Sequence, residues 1–390
     1  MRIALFHPWI KSKGGAERFV LEFLKNTKHK VDVYTWIYDK VNTFEEFEKF
    51  NIKVIAPKIA KKISRTYILR SLFFPLALFS KIPLENYDAF LISTGGLAEL
   101  ITFRNYKSKK TYAYVHTILR ATYEDDVKWN LKYRFKNPIS KIIYLIAVYF
   151  YRLLEKIAWK KINIAIFNSE LSLERAKKHN LLKNKKIYVV YPPIDVKKFT
   201  KLKIKTGNFF IYPARFGMAK RQDLLLDAWK DFVNKHQEYS FILVGSLENK
   251  KYFEKIKKMA KEIKNVEIKI NISDKELLQL YSNCLAVIFV PFMEDFGIVP
   301  FEAIAAGKPL IAIDKGGYVN LIKNLSSVIF AKEKIDFYKT KREICKALEN
   351  FIKKKRYFVI MGKKNRKYIQ KLGLDSKTFA RKIDEILESK

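Results

Sequence analysis

Cysteine is scarce in this sequence, and long apolar runs are missing. The two cysteines, Cys284 and Cys345, stand in apolar or helical contexts and form no CxxC pair, which argues against a disulfide framework or a zinc site and favours a reducing interior. No apolar run approaches the roughly 20 residues that a membrane span requires. The apolar run in MRIALFHPW is too short for a signal peptide and predicts a first strand. We therefore expect a soluble or surface-attached protein.

Acidic residues are few relative to basic ones. The chain has 77 Lys and Arg against 39 Asp and Glu, a formal net charge of +38. Such an excess favours nucleic acid, an anionic membrane surface or acidic substrates as partners. Abundant Lys, Ile, Asn, Phe and Tyr are equally typical of an AT-rich genome, so both explanations of the charge stay open. The scarcity of glutamine mildly favours a hot habitat.

Nucleic-acid signatures are also missing. The lysines are spread along the whole chain, and no helix-turn-helix, zinc-finger or aromatic RNA-binding pattern is present. We therefore expect no nucleic-acid partner and keep a nucleic-acid-binding protein only as a remote alternative.

The length and the strand pattern predict two α/β domains. A chain of 390 residues is longer than a single hydrophobic core usually accommodates, so two domains are expected. Short apolar runs alternate with helical patterns, as in a parallel sheet with crossover helices. In the first half the predicted strands are 2–6, 30–36, 53–57, 89–94, 111–116 and 164–169. In the second half they are 209–215, 240–245, 265–270, 285–291 and 309–313.

A break separates the two series of strands. The segment VVYPPIDVKKF (189–199) carries two prolines that disfavour a continuous helix or strand. We predict two Rossmann-like, doubly wound domains over 1–195 and 200–369. Ligands of such sheets bind beyond the carboxyl ends of the strands, so we expect the site in a cleft between the domains.

One stretch of the second half, residues 291–317, carries two carboxylates around a turn. Glu294 follows a predicted strand, and Glu302 lies in the first turn or two of a helix predicted over 298–306. Carboxylates beside the free N–H groups of a helix N-terminus suit a ligand with many hydroxyl groups. On spacing alone, the better explanation is structural: Glu302 is a charge that favours the helix start, and Glu294 is an exposed loop acid.

Two further motifs follow strands. Arg215 ends a strand and Lys220 lies five residues on, where two cations suit a diphosphate. Gly14 and Gly15 follow the first strand and open a helix, where backbone N–H groups can approach a phosphate closely. Ordinary surface cations and a bare tight turn are the competing explanations.

In sequence order these motifs resemble a known family, the retaining nucleotide-sugar glycosyltransferases of family four, which have the GT-B fold. The segment FMEDFGIVPFEAIAAGKPLIA is similar to the family's E-x7-E signature, RFGMAK to its Arg-x4-Lys clamp and GGAER to its glycine loop. YVHTILRATYE (114–124) resembles the segment that holds the active-site histidine, here His116. The resemblance covers nearly the whole chain.

The resemblance implies a role for each matching residue. Glu302 would bind the ribose hydroxyls of the donor, and Glu294 the hydroxyls of the transferred sugar. Backbone N–H groups of Phe296, Gly297 and Ile298 would help to position that sugar.

The resemblance also assigns the remaining predicted site residues. Arg215 and Lys220 would hold the diphosphate, with Gly14 and Gly15 contributing from the first domain. His116 would lie near the anomeric carbon or sugar O6, although a core histidine at a strand end explains it too. One departure is Asn320, where the family often has a glutamate.

The implied activity is a retaining hexosyl transfer from GDP-mannose or a UDP-hexose to a glycan or lipid-linked acceptor. Mannose is favoured because HTILR resembles mannosyltransferase relatives. A sugar-nucleotide epimerase or a phosphorylase on the same fold is the alternative. No cofactor and no metal site are expected, and YEDD (123–126) is interpreted as a solvated acidic loop. A last helix, about 370–390, would pack back on the first domain.

Two basic, apolar stretches, 58–81 and 141–161, are typical of helices that lie among lipid headgroups. They predict a cytoplasmic protein, peripheral on the inner face of the cell membrane. For 141–151, a buried helix of the first domain is the competing interpretation.

Overall fold

The computed structural model describes residues 1–56, 73–108, 110–334 and 336–389. The chain divides into two compact units. Unit 1 comprises Met1–Pro193 and Ser376–Lys390, and unit 2 comprises Ile194–Asp375.

Unit 1 is built on a parallel sheet of seven strands in the order β5-β3-β1-β6-β7-β8-β9. A separate pair of short strands, β2 and β4, is also parallel. The strands are β1 Arg2–Phe6, β2 Trp9–Ile10, β3 Lys30–Thr35, β4 Ile37–Tyr38, β5 Ile52–Val54, β6 Ala89–Thr94, β7 Thr111–Val115, β8 Ile164–Phe167 and β9 Lys186–Val189. All six residues of β6 are buried, which is why its first four residues form a continuous apolar run.

The described part of unit 1 also contains α-helices. They are α1 Gly15–Asn26, α2 Phe73–Phe79, α3 Glu124–Tyr133, α4 Pro138–Trp159, α5 Glu170–Lys178 and, from the end of the chain, α15 Ser376–Glu388. Helix α15 packs on α1: Thr27 Oγ1 donates a hydrogen bond to Asp384 Oδ1 at 2.6 Å, and the rings of Phe19 and Phe379 meet edge to face. The C-terminal helix therefore completes the core of unit 1.

Unit 2 repeats the architecture with six parallel strands in the order β12-β11-β10-β13-β14-β15. The strands are β10 Phe209–Pro213, β11 Ser240–Gly245, β12 Val266–Ile270, β13 Ala286–Phe289, β14 Leu310–Ile313 and β15 Val328–Ala331. The helices are α6 Val196–Thr200, α7 Gln222–Val233, α8 Lys250–Lys261, α9 Asp274–Asn283, α10 Ile298–Ala305, α11 Val319–Ile322, α12 Phe337–Lys353, α13 Lys355–Asn365 and α14 Tyr368–Lys371.

These two parallel-sheet units confirm the predicted α/β class. Some details differ from the prediction. Strands β9 and β15 were not predicted, because β9 is a partly exposed edge strand and β15 alternates between buried and half-buried residues. The segment 189–199 agrees with the prediction that it has no continuous helix or strand, since β9 ends at Val189 and α6 begins at Val196, after Pro192 and Pro193. The predicted acidic loop 123–126 instead opens α3 at Glu124.

The two predicted interfacial stretches have different outcomes. Residues 58–72 of the first lie outside the described residues. The second forms α4, and the competing interpretation of 141–151 as a buried helix is wrong: Ile142, Ile143 and Ile146 are more than half exposed. Within the described ranges, none of the helices combines the length and apolar character needed to cross a membrane.

Candidate functional site

Three loops of unit 2 are joined at the carboxyl edge of its sheet. They follow the neighbouring strands β10, β13 and β14 and cover residues 214–221, 290–297 and 314–318. Phe292 N donates to Ala219 O at 2.8 Å, and Gly317 N donates to Glu294 O at 2.9 Å. Parallel strands present all their carboxyl ends at one edge of the sheet, so these three loops lie side by side there.

An ion pair between Lys220 and Glu294 lies at the centre of these loops. Lys220 Nζ is 2.5 Å from Glu294 Oε2, and the two side chains are 16% and 25% exposed. The backbone of Lys220 is fixed because Tyr212 OH donates to its carbonyl at 2.6 Å. A cation and a carboxylate at one half-buried point can bind a ligand that carries both phosphate and hydroxyl groups.

Arg221, directly after Lys220, links the loop 214–221 to the loop 290–297. Its guanidinium donates to Glu333 Oε1 and Oε2 at 2.9 and 2.7 Å, and also to the carbonyls of Val290 and Pro291. The side chains of Arg221 and Glu333 are 8% and 6% exposed. Arg221 adopts a left-handed backbone conformation with φ 52°, which turns the chain from the Lys220 loop into α7. This buried pair was not predicted from the sequence.

Arg215 follows the same strand as Lys220 but has a different partner. Its Nε lies 3.5 Å from Glu248 Oε2, and the side chain is 55% exposed. Gln222 Nε2 holds the backbone of Arg215 by donating to its carbonyl at 2.9 Å. The predicted cationic pair is therefore divided between two carboxylates, and its diphosphate role stays a prediction.

The segment Phe296 to Ile298 forms the start of α10. Gly297 has φ 81°, and a Cβ atom there would lie 2.8 Å from the Tyr318 ring, so the position needs glycine. Phe296 is buried and stacks on Phe301. The start of α10 is thereby fixed a few residues after Glu294 in the sequence.

Glu302 lies in the second turn of α10 and is half-buried. Its Oε2 accepts a hydrogen bond from Tyr281 OH at 2.7 Å. Burial and the neighbouring Glu302 carboxylate raise the pKa of Tyr281 well above its ordinary value, so Tyr281 stays a donor. The role of Glu302 as a ribose ligand stays a prediction.

In unit 1, three neighbouring strands bring two histidines to one serine. His7 follows β1, Ser93 lies in β6 and His116 follows β7. Ser93 Oγ is 3.0 Å from His7 Nδ1 and 2.9 Å from His116 Nε2. Since a hydroxyl has a single proton, Ser93 donates to one ring and accepts from the other. Ser93 and His7 thus position His116, which the sequence motif alone did not reveal.

Both histidines are held neutral. Burial lowers the pKa of His7 to about 4. Burial, with a smaller contribution from His7, lowers the pKa of His116 to about 3. Near pH 7, His116 is therefore a neutral hydrogen-bonding group.

The glycine turn of unit 1 contains a carboxylate. Gly14 precedes α1 in an extended conformation, and α1 begins at Gly15. A Cβ atom on Gly14 would lie 2.4 Å from Glu17 Oε2. Glu17 is buried and accepts a hydrogen bond from Ser12 Oγ at 2.7 Å. Gly14 therefore makes room for an acidic side chain at the helix start, and the predicted phosphate contact of Gly14 and Gly15 stays a prediction.

The acidic tract after His116 has structural partners. Arg120 Nη2 donates to Asp126 Oδ1 at 2.9 Å. Over the part of the chain that the structure describes, no cluster of three or more His, Cys, Asp or Glu side chains could hold a metal ion.

The histidine pair predicts a pH dependence of stability. An ordinary histidine has a pKa of 6.5, so unfolded His7 binds a proton at a pH where folded His7, with a pKa of about 4, does not. Its contribution to stability is complete above pH 6.5 and is lost as the pH falls towards 4, a loss of roughly 3 kcal/mol. Glu155, whose pKa burial raises to about 8, gives the opposite trend as the pH rises from its ordinary 4.5 to 8.

The His7 effect is therefore measured as a difference. Thermal unfolding of His7→Asn and of the unchanged chain should be compared from pH 7 to pH 4, since Glu155 contributes equally to both. We expect the two melting temperatures to converge as the pH falls. A constant difference across this range would show that His7 is not kept neutral by the fold.

Two family models together match most of the chain. The model described as "Glycosyltransferase Family 4" matches residues 13–198, and the one described as "Glycosyl transferases group 1" matches residues 194–367. The border between the matches lies close to the border between units 1 and 2.

Curated relatives match over most of the length of the chain. The human "GDP-Man:Man(3)GlcNAc(2)-PP-Dol alpha-1,2-mannosyltransferase" is 24% identical over 368 residues, which cover 81% of this chain and 73% of the relative. The "Alpha-1,3/1,6-mannosyltransferase ALG2" of Dictyostelium discoideum is 24% identical over 369 residues, covering 81% of this chain and 83% of the relative.

Solved structures with the same fold cover nearly the whole chain. Sucrose-phosphate synthase from Thermosynechococcus elongatus has a TM-score of 0.71 at 16% identity and covers 99% of this chain and 98% of its own. Anabaena Alr3699/HepE in complex with UDP and glucose has a TM-score of 0.68 at 17% identity, with both chains fully covered. These likenesses establish the GT-B architecture of the fold.

Proposed function

The chain belongs to the family 4 glycosyltransferases with the GT-B fold, and from this we propose that it is a retaining hexosyltransferase. We propose a nucleotide-diphosphate sugar as donor, with mannose as the favoured hexose. The acceptor is a glycan or a lipid-linked glycan at a membrane surface.

The observation that carries this proposal is the Lys220–Glu294 ion pair at the carboxyl edge of unit 2. A donor sugar presents hydroxyl groups beside a diphosphate, and these two side chains have the matching charges. On donor binding, Lys220 exchanges part of its contact with Glu294 for the diphosphate oxygens. Glu294 then accepts hydrogen bonds from the sugar hydroxyls.

The proposed chemistry depends on charge development at the diphosphate. The bond between the sugar and the phosphate loosens through an oxocarbenium-like state, as in other glycosyl transfers. Negative charge grows on the leaving diphosphate, and Lys220 and Arg215 are the cations proposed to stabilise it. A fixed lysine does so with little reorganisation because its backbone is held by Tyr212.

Retention follows if the acceptor attacks the face that the leaving group departs from. The leaving phosphate then takes the proton of the acceptor hydroxyl, so no carboxylate base is required. His116, neutral near pH 7, would act through hydrogen bonds rather than as a cation. Its role, like those of Gly14 and Gly15, rests on the family resemblance.

We propose that the reaction needs neither a metal ion nor a cofactor. Lys220 and Arg215 are two side-chain cations that can balance a diphosphate, which is the task of a divalent ion in many other transferases. Turnover that is unchanged by a chelator would support this.

Mannose and a lipid-linked acceptor are favoured by the relatives. The human relative's name specifies GDP-Man and a PP-Dol-linked glycan, and the Dictyostelium relative is named as a mannosyltransferase. The HepE structure contains UDP, so UDP-hexoses belong in the test. We place the enzyme on the cytoplasmic face of the membrane, and we expect no nucleic-acid partner.

The test is a panel of GDP- and UDP-sugars, read by thermal shift and by nucleotide release with a lipid-linked glycan acceptor. GDP-mannose should raise the melting temperature most and release GDP with acceptor present. A sugar nucleotide converted to its epimer without transfer would identify an epimerase, and sugar phosphate formed from glycan and phosphate would identify a phosphorylase. If nucleic acid raises the melting temperature and no nucleotide sugar does, the proposal fails.

A further inference from the structure

Helix α4 exposes an unusual number of large apolar side chains. Nine of them are at least 42% exposed. They are Ile139, Ile142, Ile143, Leu145, Ile146, Tyr149, Phe150, Leu153 and Ile157. Single exposed apolar residues are ordinary on protein surfaces, but a contiguous set of this size marks an interaction surface. We call these nine residues the α4 outer face.

The opposite face of α4 is firmly attached to unit 1. Tyr151 OH donates to the buried carboxylate of Glu99 at 2.7 Å, and Tyr123 OH donates to Glu155, which is also buried. Arg152 Nε donates to Thr122 O at 2.6 Å. Helix α4 is therefore held on unit 1 by its inner face, while its outer face stays exposed.

The spacing of the outer face makes it a continuous stripe. Ile139, Ile142, Ile146, Tyr149 and Leu153 recur at intervals of three and four residues, which places them on one side of a helix. A helix of 22 residues is about 33 Å long, so this stripe runs along most of that length.

The charges around α4 favour an anionic partner. Glu155 is the one acidic residue within α4, and it is buried on the inner face. Exposed cations lie at both ends: Arg134 and Lys136 before the helix, Lys156 and Lys160 at its C-terminal end. An apolar stripe between two basic ends is the pattern of a helix that lies in the plane of an anionic lipid surface.

We propose that the α4 outer face is a docking surface for a bilayer that contains anionic phospholipids. The apolar side chains enter the boundary between headgroups and acyl chains, and the cations at the helix ends contact headgroup phosphates. The inner-face contacts keep the helix on unit 1, so it lies on the bilayer and does not cross it. The purpose of docking rests on the proposed function, because it would bring the enzyme to a lipid-linked acceptor.

A second copy of the chain fits this surface less well. Pairing two α4 helices in either direction would place basic ends against basic ends, in a chain with a net charge of +38. A bilayer with anionic lipids neutralises the same charges. Charge complementarity therefore favours lipid as the partner.

The experiment is cosedimentation of the full chain with phosphatidylcholine vesicles, with and without phosphatidylglycerol. Ile142→Ser/Ile146→Ser/Phe150→Ser removes apolar area from the outer face, where these residues are 59%, 51% and 59% exposed. The matched control, Val41→Ser/Tyr338→Ser/Tyr357→Ser, removes exposed apolar side chains elsewhere, at 88%, 72% and 48% exposure. A third variant, Arg134→Gln/Lys136→Gln/Lys156→Gln/Lys160→Gln, removes the flanking charges.

We expect the unchanged chain and the control to bind the vesicles with phosphatidylglycerol. The outer-face variant should bind roughly tenfold more weakly or worse, and the charge variant should lose its preference for anionic vesicles. High salt should weaken binding of the unchanged chain. All variants should unfold cooperatively and keep the same thermal shift with nucleotide sugar.

Three results would overturn the docking surface. They are no vesicle binding by the unchanged chain, equal binding by the outer-face variant, and a dimer by light scattering that this variant converts to a monomer. Vesicle binding that depends on α4, in a chain that no nucleotide sugar stabilises, would support the docking surface while the proposed function fails.

Discussion

Lys220→Ala is expected to lower the turnover number at least tenfold, which is about 1.4 kcal/mol of barrier. The lysine lies 2.5 Å from Glu294 and is the half-buried cation at the joined loops of unit 2. Its charge matters most when negative charge accumulates on the leaving diphosphate, so its loss should lower kcat more than it raises KM. Steady-state kinetics with saturating acceptor measure both.

Two matched variants make this result specific. Lys230→Ala removes an exposed lysine of α7 and should leave both kinetic constants unchanged. Glu302→Ala removes a predicted acceptor of ribose hydroxyl bonds and should raise KM for the donor with a smaller change in kcat. Unaltered kinetics in both Lys220→Ala and Glu302→Ala would defeat the proposed mechanism.

Arg221→Met is expected to destabilise unit 2 by about 3–5 kcal/mol, the usual cost of removing one partner of a buried ion pair. The substitution removes the guanidinium that donates to both carboxylate oxygens of Glu333. Because the Glu333 side chain is only 6% exposed, water cannot readily replace that partner. The carbonyls of Val290 and Pro291 also lose their donors, so the loop that carries Glu294 loses its anchor. Donor affinity should fall with stability.

Hydrogen exchange of β13 and α7 peptides is the suitable measurement, because it reports on unit 2 separately from unit 1. The double variant Arg221→Met/Glu333→Leu also removes the Glu333 carboxylate that the single variant leaves unpaired. It should recover much of the lost protection from hydrogen exchange. Protection equal to that of the unchanged chain in the single variant would show that this pair does not hold the loop.

The strands could be predicted from the sequence where both faces are buried. Every residue of β6 and β13 is buried, so β13 and the first four residues of β6 form continuous apolar runs in the sequence. Strands β9 and β15 lie at sheet edges and include partly exposed residues, which weakens the pattern. Their places in the sheet depend on pairing with β8 and β14 rather than on their own composition.

The site could be predicted as positions but not as contacts. The locations of Lys220 and Glu294 after β10 and β13 follow from the strand pattern, and adjacency of those strands brings them together. Glu333 is 112 residues from Arg221, and no local motif links them. The His7–Ser93–His116 contact likewise depends on β1, β6 and β7 being neighbours in the sheet. The hydrophobic pattern of the sequence predicts strands but does not specify their order in the sheet.

The claim that Lys220 holds the donor's diphosphate is tested most directly by calorimetric titration with GDP and with GMP. These ligands share the base and the ribose and differ by one phosphate. The unchanged chain should bind GDP at least tenfold more tightly than GMP, about 1.4 kcal/mol, and Lys220→Ala should lose most of that difference. Equal affinities for the two nucleotides, or a difference that survives in Lys220→Ala, would contradict the claim.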